Sequence, residues 1–334
     1  MLKLALLGVG HLGKIHLKCL QAIPAIEVTG FYDPDEKAAE KVLANYAIRR
    51  FATITEAIDA SEAIDVVTPT SNHFEVAAQA IKAGKHVFIE KPLTHQLTEA
   101  ATLVQLSQSQ QVKVQVGHVE RFNPAFLAIQ NIPLQPLFIE AHRLAMFNPR
   151  GTDVSVVLDL MIHDLDLVLK MVQSPLKTLS ASGVAVVSKQ LDISNARLEF
   201  ENGCVANLTA SRISMKQMRK IRLFQKDAYL SLDLLEKKAQ VIQLWNEEAI
   251  AKMNPKPMLT LDTEEGKKYI SVQTPPVADT NAIQMELETF ASCILQNTSP
   301  LVTIEEGYNC LALAHQIIEE IEQRSKNIPF KMKS

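Results

Sequence analysis

Short apolar runs alternate with longer segments of helical periodicity along the first third of the chain. A short apolar run predicts a buried strand, and apolar residues that recur every three or four positions predict a helix. The predicted strands are Leu2–Leu7, Val28–Tyr32, Ile64–Val67, Val87–Ile89 and Val112–Val116. The predicted helices are His11–Ile23, Glu36–Tyr46, Asn72–Ala83 and Leu97–Gln108. This alternation indicates βαβ units and therefore a parallel sheet.

Beyond Gly117 the pattern changes to alternating apolar and polar positions. The Asn202-Gly203 pair predicts a hairpin turn, because both residues tolerate positive φ. Strands are predicted at Leu137–Met146, Asp192–Phe200 and Cys204–Ala210, between Arg219 and Leu244, and around Tyr269–Val272. Helices are predicted at Phe122–Gln130, Val154–Val172, Ala282–Gln296 and Glu305–Ser325, with a mobile loop over the polar segment Asn246–Gly266. Such a region is typical of an α+β domain with a mainly antiparallel sheet.

The two patterns together predict an α/β protein of two domains. Residues 1–118 are expected to form a Rossmann domain with a doubly wound parallel sheet. Residues 119–334 are expected to form the α+β domain. The length of 334 residues agrees with this division, because a single hydrophobic core rarely grows beyond roughly 250–300 residues.

Composition and charge exclude several classes of protein. Apolar residues make up 47% of the chain and charged residues 21%, which excludes a disordered protein. The net charge of −3 predicts no nucleic-acid partner. The four cysteines have no CxxC spacing, so we expect buried thiols in a reducing cytoplasm and no metal site. The apolar opening segment is too short and too poorly flanked for a signal peptide, and no run predicts a membrane span.

Glycine is scarce in this chain except at one place. Only 11 residues are glycine, yet Gly8, Gly10 and Gly13 fall within six positions, between a predicted strand and a predicted helix. In a dinucleotide-binding turn the first glycine makes the turn, the second lets the backbone approach pyrophosphate, and the third lets the helix pack on the strand. The helix N-terminus also favours the phosphate charge. A tight surface turn is the alternative.

Asp33 follows the second predicted strand at the spacing expected for a ribose-binding carboxylate. A carboxylate there accepts hydrogen bonds from the ribose hydroxyls and repels a 2′-phosphate. The sequence therefore predicts NAD as cofactor in preference to NADP. The alternative is that Asp33 caps the following helix.

Lys91 follows a predicted parallel strand directly, within the sequence Glu90-Lys91-Pro92. Ligands of open α/β sheets bind at the carboxyl ends of the strands, which makes Lys91 a candidate active-site residue. We expect Pro92 to hold the lysine extended. A solvated ion pair of Glu90 and Lys91 at the strand end is the alternative.

The apolar helix Val154–Val172 carries a single polar stripe. At 100° per residue its polar members fall within an arc of about 80°, with Asp164 outside it; they are Ser155, Asp159, His163, Asp166 and Lys170. Such a stripe on a buried helix must face water, a ligand or polar partners. Asp159 and His163 are four positions apart and can project to one point. A core histidine satisfied by its aspartate and a metal half-site are the alternatives.

A lysine, a histidine and an aspartate beside a nicotinamide suggest alcohol oxidation. We expect His163 to act as the general base, because an imidazole titrates near neutral pH. Lys91 would orient the hydroxyl and stabilise the developing alkoxide. Asp159 would hold the imidazole or a neighbouring hydroxyl.

At these residues the sequence resembles the Gfo/Idh/MocA family of NAD(P)-dependent sugar oxidoreductases. The resemblance covers the turn Gly8-Val9-Gly10-His11-Leu12-Gly13, the segment Val67–Thr70, Ala83–Val87, Glu90-Lys91-Pro92 and the pair Asp159 and His163. It implies a Rossmann domain followed by an open-faced antiparallel sheet domain, through which members often form dimers or tetramers. It also implies that Lys91, Asp159 and His163 are catalytic and contact substrate. The matched cofactor-side positions are Gly8, Gly10, His11, Leu12, Gly13, Asp33, Thr68, Pro69, Asn72, His73, Glu90 and Lys91.

Two segments narrow the resemblance. Gly117–Pro124 and Leu158–Asp164 look like members that oxidise the 3-hydroxyl of UDP-N-acetylglucosamine. Arg121 could then reach the substrate, or it could form an ordinary salt bridge. The glycines that many members carry before the aspartate are absent, because this chain reads Thr152-Asp153-Val154-Ser155-Val156-Val157. Another sugar or polyol dehydrogenase, an NAD-using glycosidase and a nicotinamide-sensing regulator are the alternative functions.

Overall fold

The computed structural model describes residues 1–148, 154–253, 259–264 and 266–327. The chain divides into two compact units. The first comprises Met1–Phe122 and Thr280–Ala312, and the second comprises Asn123–Asp279 and the residues from Leu313 onward. The expected domains, 1–118 and 119–334, differ from these units chiefly in the segment 280–312, which packs with the first unit. In the described part of the chain, no helix combines the length and the apolar character needed to cross a bilayer.

The first unit contains a five-stranded parallel sheet of order β2-β1-β3-β4-β5, which confirms the predicted Rossmann arrangement. Its strands are β1 Leu2–Leu7, β2 Ile26–Tyr32, β3 Ala63–Val66, β4 His86–Glu90 and β5 Val114–Gly117. Its first helices are α1 His11–Gln21, α2 Glu36–Leu43, α3 Ile54–Asp59, α4 Thr70–Lys82 and α5 Leu97–Gln110. Of these only α3 is absent from the sequence prediction.

A C-terminal helix completes the core of the first unit. Leu287, Phe290 and Ala291 from the helix Ala282–Leu295 are buried among the apolar residues of β1 and α1. The Phe290 ring contacts the Phe88 ring of β4 edge-on, at 5.8 Å between centroids. Because these side chains are fully buried, hydrophobic burial holds the segment in the first unit despite its distance in sequence.

The second unit contains a nine-stranded sheet of order β13-β14-β12-β11-β10-β6-β9-β8-β7. Among the strand pairs of the described residues, only the pair β6 and β9 is parallel. The strands are β6 Phe138–Leu144, β7 Leu176–Val184, β8 Ile193–Phe200, β9 Val205–Ser211, β10 Met218–Gln225, β11 Ala228–Asp233, β12 Lys238–Trp245, β13 Leu259–Thr263 and β14 Gly266–Gln273. The predicted mainly antiparallel sheet is confirmed.

The helices named after α5 are α6 Pro124–Leu127, α7 Ile162–Val172, α8 Glu247–Met253, α9 Ala282–Leu295 and α10 Ile304–Asn327. The predicted mobile loop over Asn246–Gly266 is wrong where the structure describes it, since α8 and β13 occupy that segment. The helix predicted at Phe122–Gln130 is shorter in the structure, where α6 begins after the cap Asn123, with Pro124 in its first turn, and ends at Leu127. The hairpin at Asn202-Gly203 forms between β8 and β9, with only Gly203 at positive φ.

The long helix predicted at Val154–Val172 begins with a π-turn. Val157–Met161 has π-helical hydrogen bonding, and α7 follows from Ile162. A π-turn widens the helix by one residue per turn and is frequent at functional sites. The arc of about 80° assumed 100° per residue, so it does not apply across this turn. Thr152 and Asp153, where the chain departs from the glycine-rich pattern, lie outside the described residues.

Asp192 anchors the connection between β7 and β8. Its carboxylate accepts the N–H groups of Val186 and Val187 at 2.7 Å and of Ser188 at 2.9 Å, and it accepts the Ser188 hydroxyl at 2.7 Å. Burial alone would raise the pKa of Asp192, but these hydrogen bonds to the ionised form outweigh it and hold the pKa well below its usual range.

Asp192→Asn is expected to destabilise the protein by roughly 1–3 kcal/mol at neutral pH, because charge-assisted hydrogen bonds become neutral ones. A depressed pKa contributes stability above the unfolded-state value of about 3.9 and loses it as pH falls towards the folded-state value. The difference between the two proteins should therefore narrow below about pH 4. Urea denaturation followed by circular dichroism measures it, with the exposed Asp227→Asn as control. A difference that is the same at every pH would contradict the charge argument.

Candidate functional site

The glycine turn has the shape that a dinucleotide requires. Gly8 has φ +96°, and a Cβ on it would lie 2.6 Å from the Val67 carbonyl oxygen. A Cβ on Gly13 would overlap the Gly8 carbonyl oxygen, so the helix could not pack with any other residue there. At Gly10, by contrast, a Cβ would have no atom within 4 Å, which leaves open the face that pyrophosphate approaches.

Helix α1 begins directly at this turn, with His11 exposed and Leu12 half-buried. Its first turn contains no acidic residue, so no side-chain charge within that turn offsets the positive end of the helix dipole. A bound diphosphate would receive backbone N–H groups at this end.

Asp33 holds the glycine turn in place. Its Oδ2 accepts the N–H of Val9 at 2.7 Å, and its Oδ1 accepts the N–H of Asp35 at 2.8 Å. The cap of α2 is Asp35, which accepts the N–H groups of Lys37 and Ala38. The alternative that Asp33 is the helix cap is therefore wrong. Each Asp33 oxygen keeps a lone pair for a ribose hydroxyl.

Arg50 lies beside this carboxyl end of β2. Its Nη2 donates to the carbonyl oxygen of Asp33 at 3.0 Å. The same guanidinium pairs with both carboxylate oxygens of Glu36, at 2.6 and 3.0 Å. This pairing holds the pKa of the Glu36 carboxyl below its usual value. The positive charge of Arg50, which lies beside Asp33, is thus already balanced by the Glu36 carboxylate.

The turn after β3 contributes a hydroxyl group, and the first turn of α4 contributes a buried imidazole. Thr68 Oγ1 is buried and has no hydrogen-bond partner among the described residues, so a ligand hydroxyl or amide could satisfy it. The two ring nitrogens of His73 lie 2.9 Å from the Pro92 carbonyl oxygen and 3.0 Å from the Thr68 carbonyl oxygen. Burial lowers the pKa of His73, so its single N–H donates to one of the two carbonyls. Pro69 and Asn72 are exposed at the start of α4.

Glu90 ends strand β4, and Lys91 follows it. Lys91 is half-buried, and the Lys91–Pro92 peptide bond is cis. Glu90 is 8% exposed, and its Oε2 accepts the N–H of Lys91 at 3.1 Å. The glycine turn, Asp33, Thr68 and Lys91 all follow parallel strands of one sheet, so the structure gathers them at its carboxyl edge.

The other predicted catalytic residues belong to the second unit. Asp159 lies in the π-turn and His163 in the first turn of α7, and both are half-buried. The neighbouring Asp164 is buried and binds the Arg143 guanidinium of β6 at 2.7 Å from Nη2 and 3.1 Å from Nε. The sequence pattern set Asp164 apart from the polar stripe but gave no indication of its Arg143 partner.

Arg121 is 3% exposed in the first unit and forms an ion pair with Glu306 at 3.5 Å. Arg121 therefore forms the salt bridge that was the alternative, and its contact with a substrate stays a prediction. Sequence reasoning also missed His16 and Asp65. The only signal was a carboxylate inside the apolar strand β3 and a histidine one turn after Gly13.

Comparison with known proteins identifies both parts of the chain. Residues 2–118 match the family model "Oxidoreductase family, NAD-binding Rossmann fold", and residues 140–230 match "GFO/IDH/MocA C-terminal domain". The UDP-N-acetylglucosamine 3-dehydrogenase of Acidithiobacillus ferrooxidans is 32% identical over 96% of this chain and 97% of its own length. A solved structure of that enzyme superposes with a TM-score of 0.86 over 96% of this chain and 98% of that one.

More distant relatives agree on the class of enzyme. The scyllo-inositol 2-dehydrogenase (NAD(+)) of Bacillus subtilis is 25% identical over 90% of this chain and 88% of its own length. The match extends over both units and includes the strand ends that carry the candidate residues. The chain therefore belongs to the Gfo/Idh/MocA family of NAD-binding oxidoreductases.

Proposed function

We propose that the protein oxidises the 3-hydroxyl of UDP-N-acetylglucosamine, with NAD as the hydride acceptor. The full-length similarity to a UDP-N-acetylglucosamine 3-dehydrogenase carries this proposal, since it spans both units at 32% identity. The products are the 3-keto nucleotide sugar, NADH and a proton. The buried free cysteines, among them Cys19 and Cys204, support a cytoplasmic location, and membership of the family supports a homodimer or homotetramer.

The proposed roles follow from the chemistry of each side chain and from the family resemblance. Bound NAD would accept the hydride from the carbon that carries the reacting hydroxyl. His163 takes the proton of that hydroxyl, and Asp159 orients the imidazole or a neighbouring hydroxyl. Lys91 orients the hydroxyl and stabilises the alkoxide charge as it develops.

The cofactor is held by the features gathered at the carboxyl edge of the parallel sheet. The backbone at Gly10 and the start of α1 receive the diphosphate, and Asp33 receives the adenosine ribose hydroxyls. Because Glu36 already occupies Arg50, that arginine is a poor partner for the 2′-phosphate of NADP. These residues support NAD as the preferred cofactor.

Purified protein is expected to reduce NAD when UDP-N-acetylglucosamine is added. The measurement is NADH absorbance, with mass spectrometry of the nucleotide sugar to detect the loss of two hydrogens. Other UDP-sugars, free sugars and inositols form the comparison panel. Faster turnover of an inositol or a free sugar would replace the proposed substrate, and release of UDP or of a free sugar would indicate a glycosidase. Absence of turnover across the panel would favour a nicotinamide-sensing regulator.

Lys91→Ala is expected to lower kcat by about 100-fold or more, because the alkoxide loses its stabilising charge. The Kd of NAD should change by less than about threefold, since the phosphates and the ribose are held elsewhere. Steady-state kinetics and calorimetric titration of NAD measure the two quantities. Lys82→Ala, which removes an exposed lysine at the end of α4, is the matched control. Unchanged turnover in Lys91→Ala would remove the catalytic assignment.

Wild-type protein is expected to bind NAD more tightly than NADP, and Glu36→Gln should narrow that difference about two- to fivefold. The substitution releases Arg50 from an exposed ion pair, and such a pair is worth at most about 1 kcal/mol. Fluorescence titration with both reduced cofactors measures the ratio. Glu40→Gln removes an exposed carboxylate from the same helix and should leave the ratio unchanged. A tighter complex with NADP in the wild type would contradict the role of Asp33.

A further inference from the structure

Three ionisable side chains form a buried cluster in the first unit, and the proposed reaction uses none of them directly. His16 of α1 and Asp65 of β3 are fully buried, and Glu90 at the end of β4 is 8% exposed. Burying charges is unfavourable unless each has a partner, and replacement of a buried ion pair by apolar residues is often neutral or stabilising. Stability alone therefore does not explain this cluster.

His16 lies between the two carboxylates. Its Nδ1 bonds Asp65 Oδ2 at 2.9 Å. Its Nε2 lies 3.1 Å from Glu90 Oε1, which is within ion-pair distance, although the geometry is not that of a well-aligned hydrogen bond. Burial alone would lower the pKa of His16, but the two carboxylates outweigh it and raise the pKa well above its ordinary value. The two carboxylates thus favour the charged form of the imidazole that lies between them.

Glu90 has little freedom in this arrangement. A Cβ on Gly117 of β5 would lie 2.9 Å from its Cδ, so the carboxylate fills the space where a side chain would otherwise stand. Burial would raise the pKa of Glu90, yet His16 and Lys91 hold it below its ordinary value, so the group is ionised. Its other oxygen accepts the backbone N–H of Lys91 at 3.1 Å.

The residue after Lys91 is held from the other side. The carbonyl oxygen of Pro92 lies 2.9 Å from the ring of His73, which is itself buried beneath the turn after β3. Glu90 thus holds the backbone N–H of Lys91, and His73 holds the carbonyl group of the following residue, Pro92.

We propose that His16 is a positioning residue for Lys91: Asp65 orients its ring, the ring holds the Glu90 carboxylate, and that carboxylate fixes the backbone from which Lys91 projects. The arrangement resembles sites in which a carboxylate fixes the orientation of a histidine whose other nitrogen binds a functional group. A displacement of about 1 Å at a reacting group can lower a rate about 100-fold, which is sufficient reason to keep buried charges here.

The first test needs no substrate. Hydrogen exchange, followed by mass spectrometry with fragmentation, is measured for the Lys91 amide in the wild type, in His16→Gln and in Asp65→Asn. In His16→Gln the Glu90 carboxylate is released, so the Lys91 amide should exchange about tenfold faster. Asp65→Asn keeps the histidine and should give a smaller increase. Wild-type exchange in folded His16→Gln would overturn the proposal.

The second test is kinetic and rests on the proposed function. His16→Gln should lower kcat about 10- to 100-fold, with the KM of UDP-N-acetylglucosamine and the Kd of NAD within about threefold. Hydride transfer should become more rate-limiting, so the deuterium isotope effect on kcat, measured with substrate deuterated at C3, should rise. A fall in kcat with an unchanged isotope effect would mean a smaller folded fraction and would overturn the proposal.

Cys19→Ala is the matched control. Cys19 is buried one turn further along α1 and contacts neither Glu90 nor Lys91 through a hydrogen bond. Its loss weakens the packing of the helix, so the melting temperature should fall while kcat, the isotope effect and Lys91 exchange stay within about twofold.

If His16→Gln does not fold, the Asp65→Asn variant tests the proposal in its place. It is expected to lower kcat about threefold with a larger isotope effect, and wild-type values in both tests would overturn the proposal. If the wild type does not oxidise the nucleotide sugar, the proposed function fails, whereas the exchange measurement still tests the role of His16.

Discussion

Helix α1 packs so closely on the turn after β1 that its third residue has no room for a side chain. A Cβ at Gly13 would overlap the Gly8 carbonyl oxygen, and a Cβ at Gly8 would overlap the backbone at Val67. The same close packing places the helix N-terminus where a diphosphate can bind and brings His16 against β3 and β4. Leu17 and Leu20 of the helix are then fully buried in the core. The cofactor turn, the buried charges and the core of the first unit all depend on this close packing of α1 against the turn after β1.

Much of the first unit could be predicted because its signals are local. Strands buried on both faces are continuous apolar runs, so β1 was found at the residues where it lies. The glycine turn is defined by residues that are neighbours in sequence. The strands of the second unit are harder to predict from the sequence, since β7 is a half-exposed edge strand and β13 is fully exposed. Strand β7 lacks the apolar alternation that a buried face produces. In β13 the alternating Leu259 and Leu261 are both exposed, so the alternation marks no buried face.

The candidate site could be predicted only where spacing along one element was sufficient. Lys91 and Asp33 were identified because each follows a strand. Asp33 accepts the N–H of Val9 in the glycine turn, and the ring of His73 lies against the carbonyl oxygen of Pro92. The contact of His16 with Asp65 joins residues that are 49 positions apart. Such contacts arise from the packing of whole elements, so no local pattern encodes them. The π-turn at Asp159 is likewise a matter of hydrogen bonding that helical spacing does not predict.

The first unit is discontinuous, and this determines when it can be completed during synthesis. A ribosome releases the chain from its N-terminus, so residues 1–122 emerge long before the segment 280–312 that packs with them. Until then the side of the sheet around Phe88 lacks the Phe290 ring that covers it. Translation of the nucleotide-binding half of the enzyme thus begins before that of the second unit, but this half cannot finish folding before nearly all of the second unit has left the ribosome.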